Sequence, residues 1–215
     1  MKDCRRSDRV LLVEGENDLH VFIHLCGRLK HDEGLGSMPE FCIEDKGGID
    51  SLVASIANEI RAPDRKAVGI VVDGDQNPLD RWEAVADQLQ DVGIAVPEAP
   101  VPGGTCIPES RLLPRIGIWL MPDNESPGEL EDFVRTMLPD DDPVWPSSDR
   151  YIDGIREEHR KFRKKVLRAK VHAWLATREQ PGRMGAAIKE GDLRVDGALT
   201  AAFGNWLRRV FGGFG

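Results

Sequence analysis

Two spacings of apolar residues alternate along this chain. Unbroken runs such as Val10-Leu11-Leu12-Val13 and Val68-Gly69-Ile70-Val71-Val72 read as strands buried on both faces. They predict strands over residues 9–14, 41–44, 67–73 and 116–121. Between them, apolar residues recur every three or four positions. Leu19, Phe22, Ile23 and Cys26 predict a helix over 17–30, and Leu52, Val53, Ile56 and Ile60 predict one over 49–61. Pro63-Asp64 breaks the latter, and Gly93 stops a further helix over 79–91. Residues 97–114, rich in Pro and Gly, read as loop, as does the polar stretch 122–128. A helix begins over 129–138, residues 140–148 have the composition of a linker, and 152–178, 184–190 and 199–211 read as helices. Strands alternating with helices predict an α/β fold with a mostly parallel central sheet flanked by helices. Residues 1–140 would form that domain, with 141–215 a helical C-terminal extension packed on it.

Composition narrows the class. Hydrophobic residues make up 40% of the 215 residues and charged residues 31%, a globular balance. No apolar run is long enough to span a membrane. The first residues lead into a strand that ends in acids, which is not the pattern of a signal peptide. Cys4, Cys26, Cys42 and Cys106 show no zinc-type spacing, and Cys26 and Cys42 sit in apolar surroundings. A reduced, cytoplasmic setting is therefore expected. The net charge of -8 is unevenly spread, because residues 156–178 hold nine Lys or Arg against two Glu. A basic helix on an acidic protein is a candidate contact for phosphate backbones or for an acidic partner, Lys161, Lys164, Lys165 and Arg168 among its residues.

The chemistry is concentrated where the apolar runs end. The first runs into Glu14-Gly15-Glu16-Asn17-Asp18 and the second into Asp73-Gly74-Asp75. An open α/β sheet presents ligands at the carboxyl ends of its strands. With a helix starting near Asn17, Glu14 and Asp18 can point into one pocket, and Gly15 permits the sharp turn between them. Asp73 and Asp75, two apart, share a side in extended backbone. Carboxylates gathered in this way repel one another without a cation among them, and such a set suits Mg2+ or Mn2+.

This pairing of Val13-Glu14-Gly15-x-x-Asp18 with Asp73-x-Asp75 resembles the Toprim domain. That domain is shared by topoisomerases, primases, small ribosomal-RNA maturation nucleases and the overcoming-lysogenization-defect (OLD) nucleases. The resemblance covers about residues 9–135. It implies that Glu14 acts as general acid/base or metal ligand, that Asp73 and Asp75 hold Mg2+, and that Asp18 matches the further carboxylate OLD nucleases use for a second metal. The segment from Leu120-Met121-Pro122-Asp123-Asn124 through Gly128-Glu129-Leu130-Glu131-Asp132 is similar to small stand-alone OLD-like Toprim proteins of unassigned function, as is the tail from Lys170 to Ala176. By the same resemblance Lys170 would neutralise transition-state charge, Glu131 could complete the metal site, and an ATPase partner, in a setting such as phage defence, is implied.

Rival readings fit less well. A haloacid-dehalogenase phosphatase carries its DxD after the first strand, and a response-regulator receiver leaves the Glu-Gly turn and the second aspartate unexplained. A topoisomerase needs a nucleophilic tyrosine on a gating domain, and the one tyrosine, Tyr151, lies in the linker region. Other residues carry weaker signals. Asp123 is an alternative ligand to Glu131, while Glu129 and Asp132 suit a first helical turn. Lys46-Gly47-Gly48 offers a turn that a phosphate could approach. His20 and His24 share a helix face without a third ligand in view. No P-loop is present. The expectation is a metal-dependent nuclease acting on DNA or RNA. The alternative is a non-catalytic nucleic-acid-binding or regulatory subunit on the same fold.

Overall fold

A computed structural model describes residues 4–32, 40–162 and 165–212. The described residues form five strands and eight helices. In chain order these are β1 (Arg9–Val13), α1 (Glu16–Asp32), β2 (Cys42–Asp45), α2 (Ile49–Ile60), β3 (Ala67–Asp73), α3 (Pro78–Asp91), β4 (Thr105–Ile107), β5 (Arg115–Met121), α4 (Leu130–Arg135), α5 (Trp145–Gly154), α6 (Val166–Leu175), α7 (Met184–Glu190) and α8 (Ala198–Phe211). The strands make one sheet in the order β2-β1-β3-β5-β4. Its first four members are parallel and β4 runs antiparallel along β5. The fold is a mixed α/β architecture with a mostly parallel sheet flanked by helices.

Strand residues alternate between two cores. Val10, Leu12, Val68, Ile70, Ile116 and Ile118 face α2 and α3. Leu11, Val13, Val71, Trp119 and Met121 face α1 and the helices after β5. The described residues after Asp140 therefore supply one wall of the core, with α6, α7 and α8 all contributing buried side chains. The helix α8 comes close to the sheet because Gly69 and Gly117, paired across β3 and β5, clear its path. A Cβ at Gly69 would stand 2.7 Å from Leu11 and 2.9 Å from Phe211, and one at Gly117 would clash with a Val210 methyl. Gly117→Ala is accordingly expected to destabilise the protein by about 1–3 kcal/mol through overpacking. Gly27→Ala, on an open stretch of α1 with nothing near its Cβ, is expected to stabilise it slightly. Thermal melts of the two variants check this contrast, and a neutral Gly117→Ala would contradict the packing account.

Several local expectations are corrected. The stretch 97–114 contains β4, three residues long and too short for a period to show. The segment read as a linker enters α5 after Asp142, whose Oδ1 accepts from the N–H groups of Val144 and Trp145 and from Trp174 Nε1. The single helix expected over 152–178 is two. The turn between them begins after α5, where the Arg160 guanidinium donates to the carbonyls of Asp153 and Ile155. Lys164 lies outside the described residues. Ile23, expected on the buried stripe of α1, is 43% exposed, and Val21 and Leu25 are buried instead. Cys42 is buried but is not a free thiol. A 3-10 turn (Cys4–Arg6) packs against β2 and brings Cys4 to a Cα–Cα distance of 5.4 Å, at which the pair forms a disulfide. Their sequence separation of 38 leaves no local spacing to signal it. Among the described residues no helix is long and apolar enough to cross a membrane.

Candidate functional site

The sheet order places β1 and β3 side by side, with β2 to one side and β5 to the other. The chain passes from β1 outward to β2, then back across to β3, so the connections reverse between β1 and β3. Such a switch point opens a crevice at the carboxyl ends of the two strands. Glu14 follows β1 and Asp73 ends β3, so the topology delivers both acids to that crevice.

Hydrogen bonds set their directions. The carboxylate of Glu14 reaches across to β3, where Oε1 accepts from the Asp73 backbone N–H at 2.7 Å. Asp73 Oδ1 in turn accepts from the N–H of Leu130, at 3.0 Å, the first residue of α4. These two contacts tie β1, β3 and α4 together. Asp18 sits in the first turn of α1, its Oδ2 3.6 Å from where a Gly15 side chain would begin.

Asp75 departs from the extended geometry expected of it. The strand ends at Asp73, Gly74 passes against the Met121 carbonyl, and Asp75 takes a left-handed φ of 48°. Its N–H donates to Gly128, and its carboxylate turns to Arg81, with Nη2–Oδ2 at 2.6 Å. Glu129 and Glu131, at the start of α4, are 8% and 3% exposed. Glu129 pairs with Lys165 at 2.6 Å and with Arg168 at 3.4 Å. Glu131 meets Arg168 at 3.1 Å and His172 at 3.3 Å.

Electrostatics show how tightly the acids are gathered. Burial, then the charges of Glu14 and Asp18 and of Glu129 and Glu131, push the Asp73 carboxyl up to about 9. Burial, followed by Glu14, pushes Asp18 up to about 7. Glu14 is raised by burial against the opposing pull of the Asp73 N–H and of Arg81. Glu131 behaves differently. Burial raises it, but the His172 hydrogen bond and the Arg168 charge outweigh that and hold it below the usual carboxylate range. Glu14, Asp18 and Asp73 thus form an under-compensated inner group, whereas Asp75, Glu129 and Glu131 have cationic partners.

Two cavities flank this group. One of about 360 Å³ is lined by Glu14, Gly15, Asp18, Gly48 and Arg168 among others. One of about 240 Å³ is lined by Asp75, Gly128, Glu129, Lys165 and Arg168 among others. Arg168 stands on the wall of both. The inner group fits Mg2+ or Mn2+ in donor chemistry, being all carboxylate oxygen with its repulsion only partly offset. As the side chains stand, no group of three or more His, Cys, Asp or Glu among the described residues is arranged to hold an ion.

Other residues singled out by sequence lie elsewhere. Lys170 does not reach the acids. Its ammonium pairs with Asp149 and Asp153 of α5, at 2.8 and 2.9 Å, and joins α6 to α5. Asp123 accepts from the N–H groups of Glu125 and Ser126 and closes its own turn. Lys46 is held by Glu44 and Glu59. His20 and His24 face a neighbouring cleft against α7. Among the described residues, Arg81, Lys165 and Arg168 are the Lys and Arg side chains paired with the acids. The basic run signalled two of them as surface charge but not what they face, and Arg81 gave no signal.

Residues 8–212 match the model of a family described as a protein of unknown function (DUF3226), and the chain belongs to that family. No curated protein and no solved structure matches it.

Proposed function

We propose that this member of the DUF3226 family is a metal-dependent nuclease that hydrolyses phosphodiester bonds of DNA or RNA. One observation carries the reading. Glu14, Asp18 and Asp73 stand half-buried together at the β1/β3 switch point with their carboxyls raised, as expected of acids that gather a cation. The resemblance of these residues to the Toprim motifs supports the same reading. Glu14, Asp18 and Asp73 would hold the ion, with Asp75 and Glu131 at the margin. A bound Mg2+ or Mn2+ supplies Lewis-acid charge and lowers the pKa of attacking water.

The chain's own groups do the rest. Glu14, anchored through Oε1, keeps Oε2 to exchange a proton with the water, and burial raises its carboxyl in the direction a proton carrier needs. Lys165 and Arg168 at the cavity mouths meet the phosphate oxygens and offset the charge that develops on them. The cytoplasm is where such a substrate would be met, and an ATPase partner would act in trans.

A second reading, a nucleic-acid-binding or regulatory subunit that does not cleave, is favoured by the existing ion pairs. Arg81, Lys165 and Arg168 already balance Asp75, Glu129 and Glu131. Incubation of the purified protein with labelled single- and double-stranded DNA and RNA, in Mn2+, Mg2+ or EDTA, separates the two. Cleavage that needs the divalent ion is expected. Intact substrates under every condition, with and without a co-expressed ATPase, would leave the binding role.

A further inference from the structure

A cleft of about 490 Å³ lies between α1 and α7, beside the acidic pocket. Its volume falls in the range of about 300–1,000 Å³ typical of ligand sites. One wall presents Glu16, Asn17, His20 and His24 from α1, and the other presents Arg183 and Lys189. The two helices meet closely where Gly185 passes His20. A Cβ at Gly185 would stand 2.7 Å from the His20 carbonyl oxygen and 3.0 Å from the His24 ring. Behind this contact Met184, Ala187 and Ile188 are buried in the core, so the cleft is set by packing rather than by loose surface chains.

Its charge is the opposite of its neighbour's. Arg183 and Lys189 are cationic, and Glu16 is the one acid among the described residues that line it. Lys189 touches Glu190 at 3.3 Å, but both are well exposed and the pair is weak. The His24 imidazole is held below its usual range, first by burial and then by the charges of His20 and Lys189. Glu16 and Asn17 line this cleft and also the cavity that holds Glu14 and Asp18. The cleft with Arg183 and Lys189 therefore borders the acidic pocket across Glu16 and Asn17.

We propose that the α1/α7 cleft binds the backbone phosphates of a single nucleic-acid strand, next to the bond that the acidic pocket receives. This rests on the reading of that pocket as a phosphodiester site and deepens it. Acids that gather a cation act on one phosphate. A neighbouring cationic cleft has use only when the substrate carries further phosphates at a fixed spacing, as a polynucleotide does. With a volume of about 490 Å³, the cleft has room for a short stretch of one strand and not for a duplex. The substrate class is thus a single-stranded DNA or RNA segment that extends to one side of the bond cleaved, and not an isolated nucleotide.

Binding of a labelled single-stranded oligonucleotide in EDTA, read by fluorescence anisotropy across a salt series, tests the assignment without any cleavage. The double variant Arg183→Glu/Lys189→Glu is expected to bind about tenfold or more weakly. Its log–log salt slope should fall by about 1.4, for two contacts at about 0.7 each on a single strand. Arg61→Glu/Lys66→Glu makes the same charge change where α2 ends and β3 begins, at the opposite end of the sheet, and should bind like the wild type. Unchanged affinity in the first variant, equal losses in both, or no binding by the wild type would each overturn the cleft assignment. A Mn2+-dependent rise in melting temperature, recorded on the same proteins, reads the metal centre separately. A retained rise with unchanged oligonucleotide affinity removes the cleft alone, and a missing rise with the expected binding loss removes the metal centre alone.

Discussion

Asp73→Asn is expected to lower divalent-ion-dependent cleavage by about 10³-fold or more, the scale on which a site loses its charge-stabilising group. The substitution keeps the shape of the side chain. The amide oxygen it introduces can still accept from the Leu130 N–H, and the backbone N–H that Glu14 uses is untouched. What disappears is the negative charge that attracts the ion. A gel assay with a fluorescent oligonucleotide at matched protein concentration measures the effect. Asp75→Asn, which unmakes only the partner of Arg81, should cost less. Equal activity in wild type and Asp73→Asn would remove the metal-centre reading.

The same substitution is expected to stabilise the protein in EDTA, and this follows from the direction of the shift. The folded Asp73 carboxyl titrates near 9, against an ordinary value of 3.8. Below about pH 4 both folded and unfolded chains hold the proton, and no penalty exists. Between about pH 4 and 9 the unfolded chain releases it while the folded chain retains it, so stability falls as pH rises, at up to about 1.4 kcal/mol per unit. Asp18, raised to about 7, adds to the fall over the lower part of that window. Glu14 and Asp18 share the same repulsion, so the summed penalty is smaller than the separate ones. Asp73→Asn should gain on the order of 2 kcal/mol at pH 8 and flatten the decline.

Divalent ions should reverse the ranking. At an ion concentration one hundred times its dissociation constant, the wild type should gain about 2.7 kcal/mol, and the variant little. Melting curves at pH 5 and pH 8, with EDTA or Mn2+, give both halves of the pattern. A wild type that melts higher at pH 8 than at pH 5 in EDTA would contradict the shifted carboxyls.

The sheet was legible because its central strands are apolar throughout. Runs such as 68–72 can only be buried, and an acid at the end of such a run sits at the carboxyl end of the sheet. That made Glu14, Asp18 and Asp73 visible as local features. β4 and α5 were hidden because one is three residues long and the other follows an acidic, proline-bearing turn that serves as its cap. The cations were hidden for a different reason. Lys165, Arg168 and Lys170 lie on or beside one helix, and which of them meets the acids depends on its rotation. Val171, Trp174 and Leu175 turn inward. Lys170 does lie on a covered side, but the element that covers it is α5 and not the sheet edge. The left-handed turn of Asp75 likewise depends on Gly128, fifty-three positions further along the chain.

The seat that Gly69 and Gly117 make for α8 bears on how the chain reaches its native state. The strands on which α8 rests are complete by residue 121, yet the helix that closes over them begins at residue 198. During synthesis the strand that bears Trp119 precedes Phe203, Trp206 and Phe211, the residues that cover that face in the folded chain. The nascent sheet thus passes through a stage that exposes apolar surface, where chaperones act and where neighbouring chains can stick together. Expression at low temperature, or with a holdase present, should raise the yield of folded protein.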